Sequence, residues 1–134
     1  LPTVLISAGV GLTPMVSMLE SIVALKQQTP VFFLHACENT QQHSFAQRIS
    51  QLEKDYPLLH NFTWFNKAEQ NTAAGQFTGL MDLKAVAAQL PLQSANFYLC
   101  GPTGFMKFAK DQLLALGVAS AQIHYEVFGP HSEL

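Results

Sequence analysis

Apolar positions change their spacing several times along the chain, and each change marks an element. Thr3 to Ser7 is a short continuous apolar run ending in Ala-Gly, the pattern of a strand covered on both faces. From Pro14 to Lys26, Met15, Met18, Leu19, Ile22 and Leu25 recur every three or four residues, with Ser17, Glu20, Ser21 and Ala24 between them. That spacing predicts an amphipathic helix lying on a sheet. Pro30 to Ala36, "PVFFLHA", predicts a second buried strand whose proline stands first, where its missing N–H removes no central ladder bond.

Ser44 with Gln47 three residues later is a capping-box pattern for a second helix, in which Phe45, Ile49, Leu52 and Tyr56 form one stripe and Pro57 ends the run. Asn61 to Asn66, "NFTWFN", alternates and is rich in aromatic and β-branched residues, which predicts a third strand near an edge. Lys67 to Phe77 is polar and reads as one long loop, and Asp82 is placed to cap a short helix over Leu83 to Gln89. "NFYLC" predicts strand four. Gly101 and Pro102 then turn the chain into a helix with Phe105, Phe108, Ala109, Leu113 and Leu116 on its buried side, ended by Gly117 as a left-handed C′ residue. "QIHYEVF" predicts the last strand. Strands alternating with helical segments predict an α/β fold: a doubly wound, Rossmann-like, five-stranded parallel sheet, strand order 3-2-1-4-5, with helices on both faces.

Size and composition narrow the function classes. The 134 residues suit one domain, 1–134, which by size scaling buries roughly two thirds of the surface of its unfolded chain. A formal net charge of -2 with 12% charged residues lacks the basic excess of a nucleic-acid binder, so no nucleic-acid partner is expected. No apolar run reaches the ~18 to 20 residues of a membrane span. Cys37 and Cys100 make no C-x-x-C pair and no secretory signal is visible, which points to a reducing, cytoplasmic setting. The chain has no initiator Met and starts within a residue or two of a strand, so it is expected to be a piece of a longer polypeptide.

Three stretches carry candidate chemistry. Directly behind strand one lies "AGVGLTP", where ligands of such sheets gather beyond the strand ends. Gly9 and Gly11 permit close backbone approach to a pyrophosphate, Thr13 is a natural N-cap, and Pro14 suits the first helical turn. A tight turn without ligand is the competing account. "YLCGPTGFM" follows strand four, and a reversing sheet would place Cys100 and Gly101 beside the first loop as the second wall of one cleft. "HYEVFGPH" at the end would overhang that cleft with a glutamate and an aromatic.

These stretches, in this order, resemble the nicotinamide-binding domain of the ferredoxin-NADP reductase superfamily. "ISAGVGLTPM", "FYLCGPTGFM" and "YEVFGP" look most like the flavohaemoglobins, whose activity is nitric oxide dioxygenation. The resemblance implies that Gly9, Val10, Gly11, Leu12, Thr13 and Pro14 bind the pyrophosphate and part of the nicotinamide side. It implies that Cys100 lies near nicotinamide C4, with Gly101 and Pro102 forming the turn that admits the ring; a small buried hydrophobe is the alternative for Cys100. Glu126 and Phe128 would stand beside the flavin ring, with Val127, Gly129 and Pro130 completing the tail, against a solvated strand end as the alternative. The cofactors so implied are NAD(P)H, FAD held mainly by a domain upstream, and haem in an upstream globin domain.

Glu38, after strand two, is an acid placed to bond ribose hydroxyls, and the single arginine, Arg48, falls on the polar side of helix two; NADH is therefore expected over NADPH. Glu38 as a solvated loop charge is the alternative. The histidines, His35, His43, His60, His124 and His131, form no close metal-binding motif, so no metal site is expected in this domain. The leading expectation is an NADH-binding electron-input module of a flavohaemoprotein, with catalytic roles for Glu126 and Cys100. A reductase serving flavins, a ferredoxin or an oxygenase component is the second reading, and a non-catalytic dinucleotide sensor the third.

Overall fold

A computed structural model describes residues 2–8, 17–21, 24, 29–37, 43–65, 76–78 and 80–125. Its strands are β1 (Thr3–Ala8), β2 (Val31–Cys37), β3 (Leu59–Phe65), β4 (Gln76–Thr78), β5 (Asn96–Cys100) and β6 (Ile123–Tyr125). They form one sheet in the order β4-β3-β2-β1-β5-β6, every pair parallel. The five expected strands keep the expected order. The addition is β4, a three-residue strand at the edge beyond β3, drawn from the end of what the polar composition marks as loop. The direction of winding reverses between β1 and β5: from β1 the chain steps outward through β2, β3 and β4, then returns to pair on the other side of β1.

Alternation along the strands divides the core into two layers. Val4, Ile6, Phe32, Leu34, Phe97 and Leu99 face one layer, closed by Met106, Ala109 and Leu113 of helix α2 (Thr103–Ala115) and by Met81, Leu83 and Val86. Leu5, Val31, Phe33 and Leu59 face the other, closed by Leu19 of the helical residues 17–21 and by Ile49, Leu52 and Tyr56 from helix α1 (His43–Asp55) and its end. Each such side chain, fully buried, contributes about 1.5–3 kcal/mol, which explains why strands covered on both sides are apolar at consecutive positions.

Local signals hold with small shifts. α1 already includes His43, so Ser44 lies inside the first turn rather than ahead of it; its side chain and that of Gln47 lie outside the described residues. Asp82 does cap, its carboxylate accepting from the Lys84 N–H at 3.1 Å, but it opens two 3₁₀ turns, Leu83–Ala85 and Ala87–Gln89, in place of one short helix. Gly117 has φ +92, and the N–H groups of Gly117 and Val118 donate to the carbonyls of Leu114 and Leu113, a Schellman ending with Val118 and Leu113 packed in one core cluster. Phe108 is corrected. It is 40% exposed, and Met106 occupies the buried stripe instead, because the apolar arc of α2 is centred on Met106, Ala109 and Leu113.

Two glutamines brace the frame. Gln112 of α2 accepts from the Leu83 N–H at 2.7 Å and donates to the Met81 carbonyl at 3.0 Å, tying the helix to the segment after β4. Gln122 donates to the carbonyls of Leu92 and Ala95 and accepts from the Ala119 N–H, fixing the connection into β6.

Candidate functional site

The carboxyl ends of β1, β2 and β5 lie side by side at the point where the winding reverses. Ser7 is in register with His35 of β2 on one side and with Cys100 of β5 on the other. Parallel in-register residues point to the same face, so His35, Ser7 and Cys100 make a polar row directly above Phe33, Leu5 and Tyr98. Ser7 and His35 are fully buried and share a hydrogen bond, Oγ to Nδ1, of 2.8 Å. Cys100 is half-buried against the cluster of Leu5 and Phe33.

Gly101 locks this corner together. Its φ is +147, outside the range that side chains readily adopt, and a Cβ there would stand 3.0 Å from the Ala8 carbonyl oxygen and 3.2 Å from the Phe105 ring. The turn leaving β5 therefore rests on the backbone of Ala8, the residue from which the chain passes into Gly9. Pro102 comes next in an extended conformation, and its carbonyl accepts from the Met106 N–H, starting α2. A bare glycine packed against a strand exit, with a thiol one residue before it, brings the ends of β1 and β5 into one corner.

Of the residues singled out in the sequence, Cys100, Gly101 and Pro102 are described and stand together at this corner. Gly9, Val10, Gly11, Leu12, Thr13, Pro14 and Glu38 lie outside the described residues, as do Glu126, Val127, Phe128, Gly129 and Pro130. Sequence reasoning passed over Ser7 and His35. The signal was present: each is a polar residue near the end of an otherwise apolar strand. Their pairing across 28 positions was not readable. Among the described residues no group of three or more His, Cys, Asp or Glu gathers where it could hold a metal ion, and no helix is long and apolar enough to cross a membrane.

Comparison with known proteins agrees with this layout. Residues 5–111 match the model of the oxidoreductase NAD-binding domain. The chain belongs to that family. Within it, the chain is 41% identical over 133 residues to a flavohemoprotein of Vibrio cholerae, a match spanning 99% of this chain and 32% of that protein. The FAD/NAD-binding domain of nitric oxide dioxygenase from Vibrio cholerae superposes with a TM-score of 0.82 at 43% identity, covering 96% of this chain and 52% of that one. A flavohemoglobin from Malassezia yamatoensis gives 0.75 at 26% identity, over 96% of this chain and 32% of the other. This oxidoreductase NAD-binding domain thus spans about a third of the length of its flavohemoprotein relative.

Proposed function

We propose that the chain is the NADH-binding, electron-input part of a flavohaemoprotein that works in the cytoplasm, supports nitric oxide dioxygenation, and carries its FAD and haem in domains of the same polypeptide. The observation that carries this reading is the seating of Gly101 on the backbone of Ala8. It joins the Cys100 corner to the start of the glycine segment at the winding reversal, where dinucleotides bind in open parallel sheets. Similarity to a flavohemoprotein along 99% of the chain supports the choice of electron acceptor.

Each residue has a task in this reading. The backbone amides of Gly9 to Thr13, with Pro14, would bind the pyrophosphate in this reading. Glu38 accepts hydrogen bonds from the ribose hydroxyls and would repel a 2′-phosphate, so NADH is selected over NADPH. Cys100, Gly101 and Pro102 would form the wall that receives the nicotinamide, with the thiol as the side chain nearest its reacting carbon. Phe128 would stand beside the flavin, Glu126 would set the electrostatics of the transfer, and Val127, Gly129 and Pro130 would complete the tail. The nicotinamide supplies the hydride and the flavin receives it; the protein's contribution is positioning and electrostatics.

The test is an absorbance spectrum of the full-length protein before and after anaerobic addition of NADH. Flavin bleaching, then a shift of a haem band, is expected. Bleaching without a haem band would leave a flavin reductase with another acceptor, and NADH binding without bleaching would leave only a dinucleotide sensor.

A further inference from the structure

We infer that Ser7 and His35 are positioning residues for the dinucleotide: their hydrogen bond holds the ends of β1 and β2 at one separation, so that the segment after β1 and the acid after β2 can bind the pyrophosphate and the neighbouring ribose of one ligand. The inference rests on the assignment of Gly9–Pro14 and Glu38 to the nucleotide and adds two residues that do not touch it.

The argument starts from burial. Ser7 and His35 are both fully buried, in a register row whose predecessor on the same face, Leu5 with Phe33, is wholly apolar. Packing alone would be served as well by another apolar pair, since replacing both partners of a buried hydrogen bond with apolar groups of similar shape is close to neutral. A hydrogen bond adds direction, which dispersion contacts lack: the 2.8 Å Oγ–Nδ1 bond fixes both spacing and rotation of the two strand ends. It does so at a particular place. Only the row Ala8–Ala36 lies beyond it; Gly9 comes two residues after Ser7, and Glu38 three after His35. Cys100 is in register with Ser7 on the other side, so one serine stands at the centre of the three strand exits that feed the site.

The experiment uses the full-length protein with its flavin and haem spectra as a check of assembly. NAD+, which does not reduce the flavin, is titrated by calorimetry into the parent, Ser7→Ala, His35→Phe, the double variant and Ser7→Thr, with Gly11→Val as the control for the loop assignment. Ser7→Ala and His35→Phe are expected to weaken NAD+ by about three- to tenfold each, a fraction of the bond's value reaching the ligand. The double variant should be no weaker than the singles, as for two halves of one interaction, and Ser7→Thr, which keeps the hydroxyl, should bind as the parent does. In steady state KM for NADH should rise while kcat holds, because ground state and transition state lose the same contacts. A purely structural pair would lower the melting temperature and leave binding unchanged. Parent-like NAD+ affinity in Ser7→Ala and His35→Phe, with affinity lost in Gly11→Val, overturns the inference and keeps the loop assignment. Unchanged affinity in Gly11→Val removes the assignment and the inference with it. Should His35→Phe fail to assemble, Ser7→Ala against Ser7→Thr decides alone, and equal loss in both overturns the role of the hydroxyl.

Discussion

The two ends of the parallel sheet are built from different chemistry. At the amino-terminal edge, the hydrogen bonds close on main-chain groups. The N–H groups of Thr3, Val31 and Asn96 donate to the carbonyls of Pro30, Leu58 and Pro2, each just ahead of the neighbouring strand. Gln122 closes the carbonyls of Leu92 and Ala95, and the Tyr56 hydroxyl bonds the backbone of Thr29. At the carboxyl-terminal edge a glycine lies on a strand exit, a serine pairs with a histidine, and a thiol stands half-buried. The first edge satisfies its polar groups internally and is finished as structure. The second holds a polar row, His35, Ser7 and Cys100, near the strand exits where the dinucleotide site is proposed. Changes at the first should therefore alter stability without altering NADH, and changes at the second should do both or the reverse.

The largest effect is expected at Gly101. Gly101→Val combines an unfavourable φ with a clash against the Ala8 carbonyl, and should destabilise by about 2–4 kcal/mol while abolishing NADH-driven flavin reduction. Denaturant unfolding and rapid mixing measure the two losses, and retention of both would show that the corner relaxes freely.

Gln122→Ala removes three hydrogen bonds at the opposite edge. It should lower stability by about 1–3 kcal/mol with KM for NADH unchanged. A raised KM there would break the division between the edges.

Gly104 sharpens the comparison with its neighbour three residues earlier. Apart from its chain neighbours and its own helix backbone, nothing among the described residues lies within 4 Å of the position its Cβ would take, and it sits in the first turn of α2. Gly104→Ala should stabilise by up to about 1 kcal/mol through reduced freedom of the unfolded chain. Thermal melting reads the gain; a coincident loss of NAD+ affinity would extend the site onto α2.

The smallest effect concerns pH at the amino-terminal side. Burial raises the Glu53 pKa above its ordinary value, against the lowering influence of its hydrogen bond to Asn61 and of the nearby His60. Because the folded value exceeds the unfolded one, folding favours the protonated carboxyl, so Glu53 opposes stability once pH rises above the ordinary glutamate range, and the penalty disappears as both states become protonated in acid. Glu53→Gln should thus raise the unfolding midpoint slightly at neutral pH and not at all in acid, with no change in NADH turnover at either.

Much of this fold was legible because its signals are local. Strands buried on both faces write continuous apolar runs, as in Thr3–Ala8 and Val31–Cys37. Helices covered on one face write stripes, as Ile49, Leu52 and Tyr56 do. Gly117 announced the end of α2 because few other residues take that φ. β4 was not legible, since three residues hold too little alternation to stand out and its support is the register with Thr63–Phe65. Phe108 was misplaced because helical spacing alone leaves the centre of a stripe uncertain by one residue, and the facing layer settles it in favour of Met106.

By itself the sequence determined the alternation of strands and helices and the residues that turn the chain after β5, since periodicity, caps and glycines act within a few residues of one another. The sequence placed Gly101 beside the first loop, but only the tertiary structure decided that its turn rests on the Ala8 backbone and that Ser7 meets His35. Those pairings arise from parallel register, and register is set by how whole strands bury their faces against both layers at once.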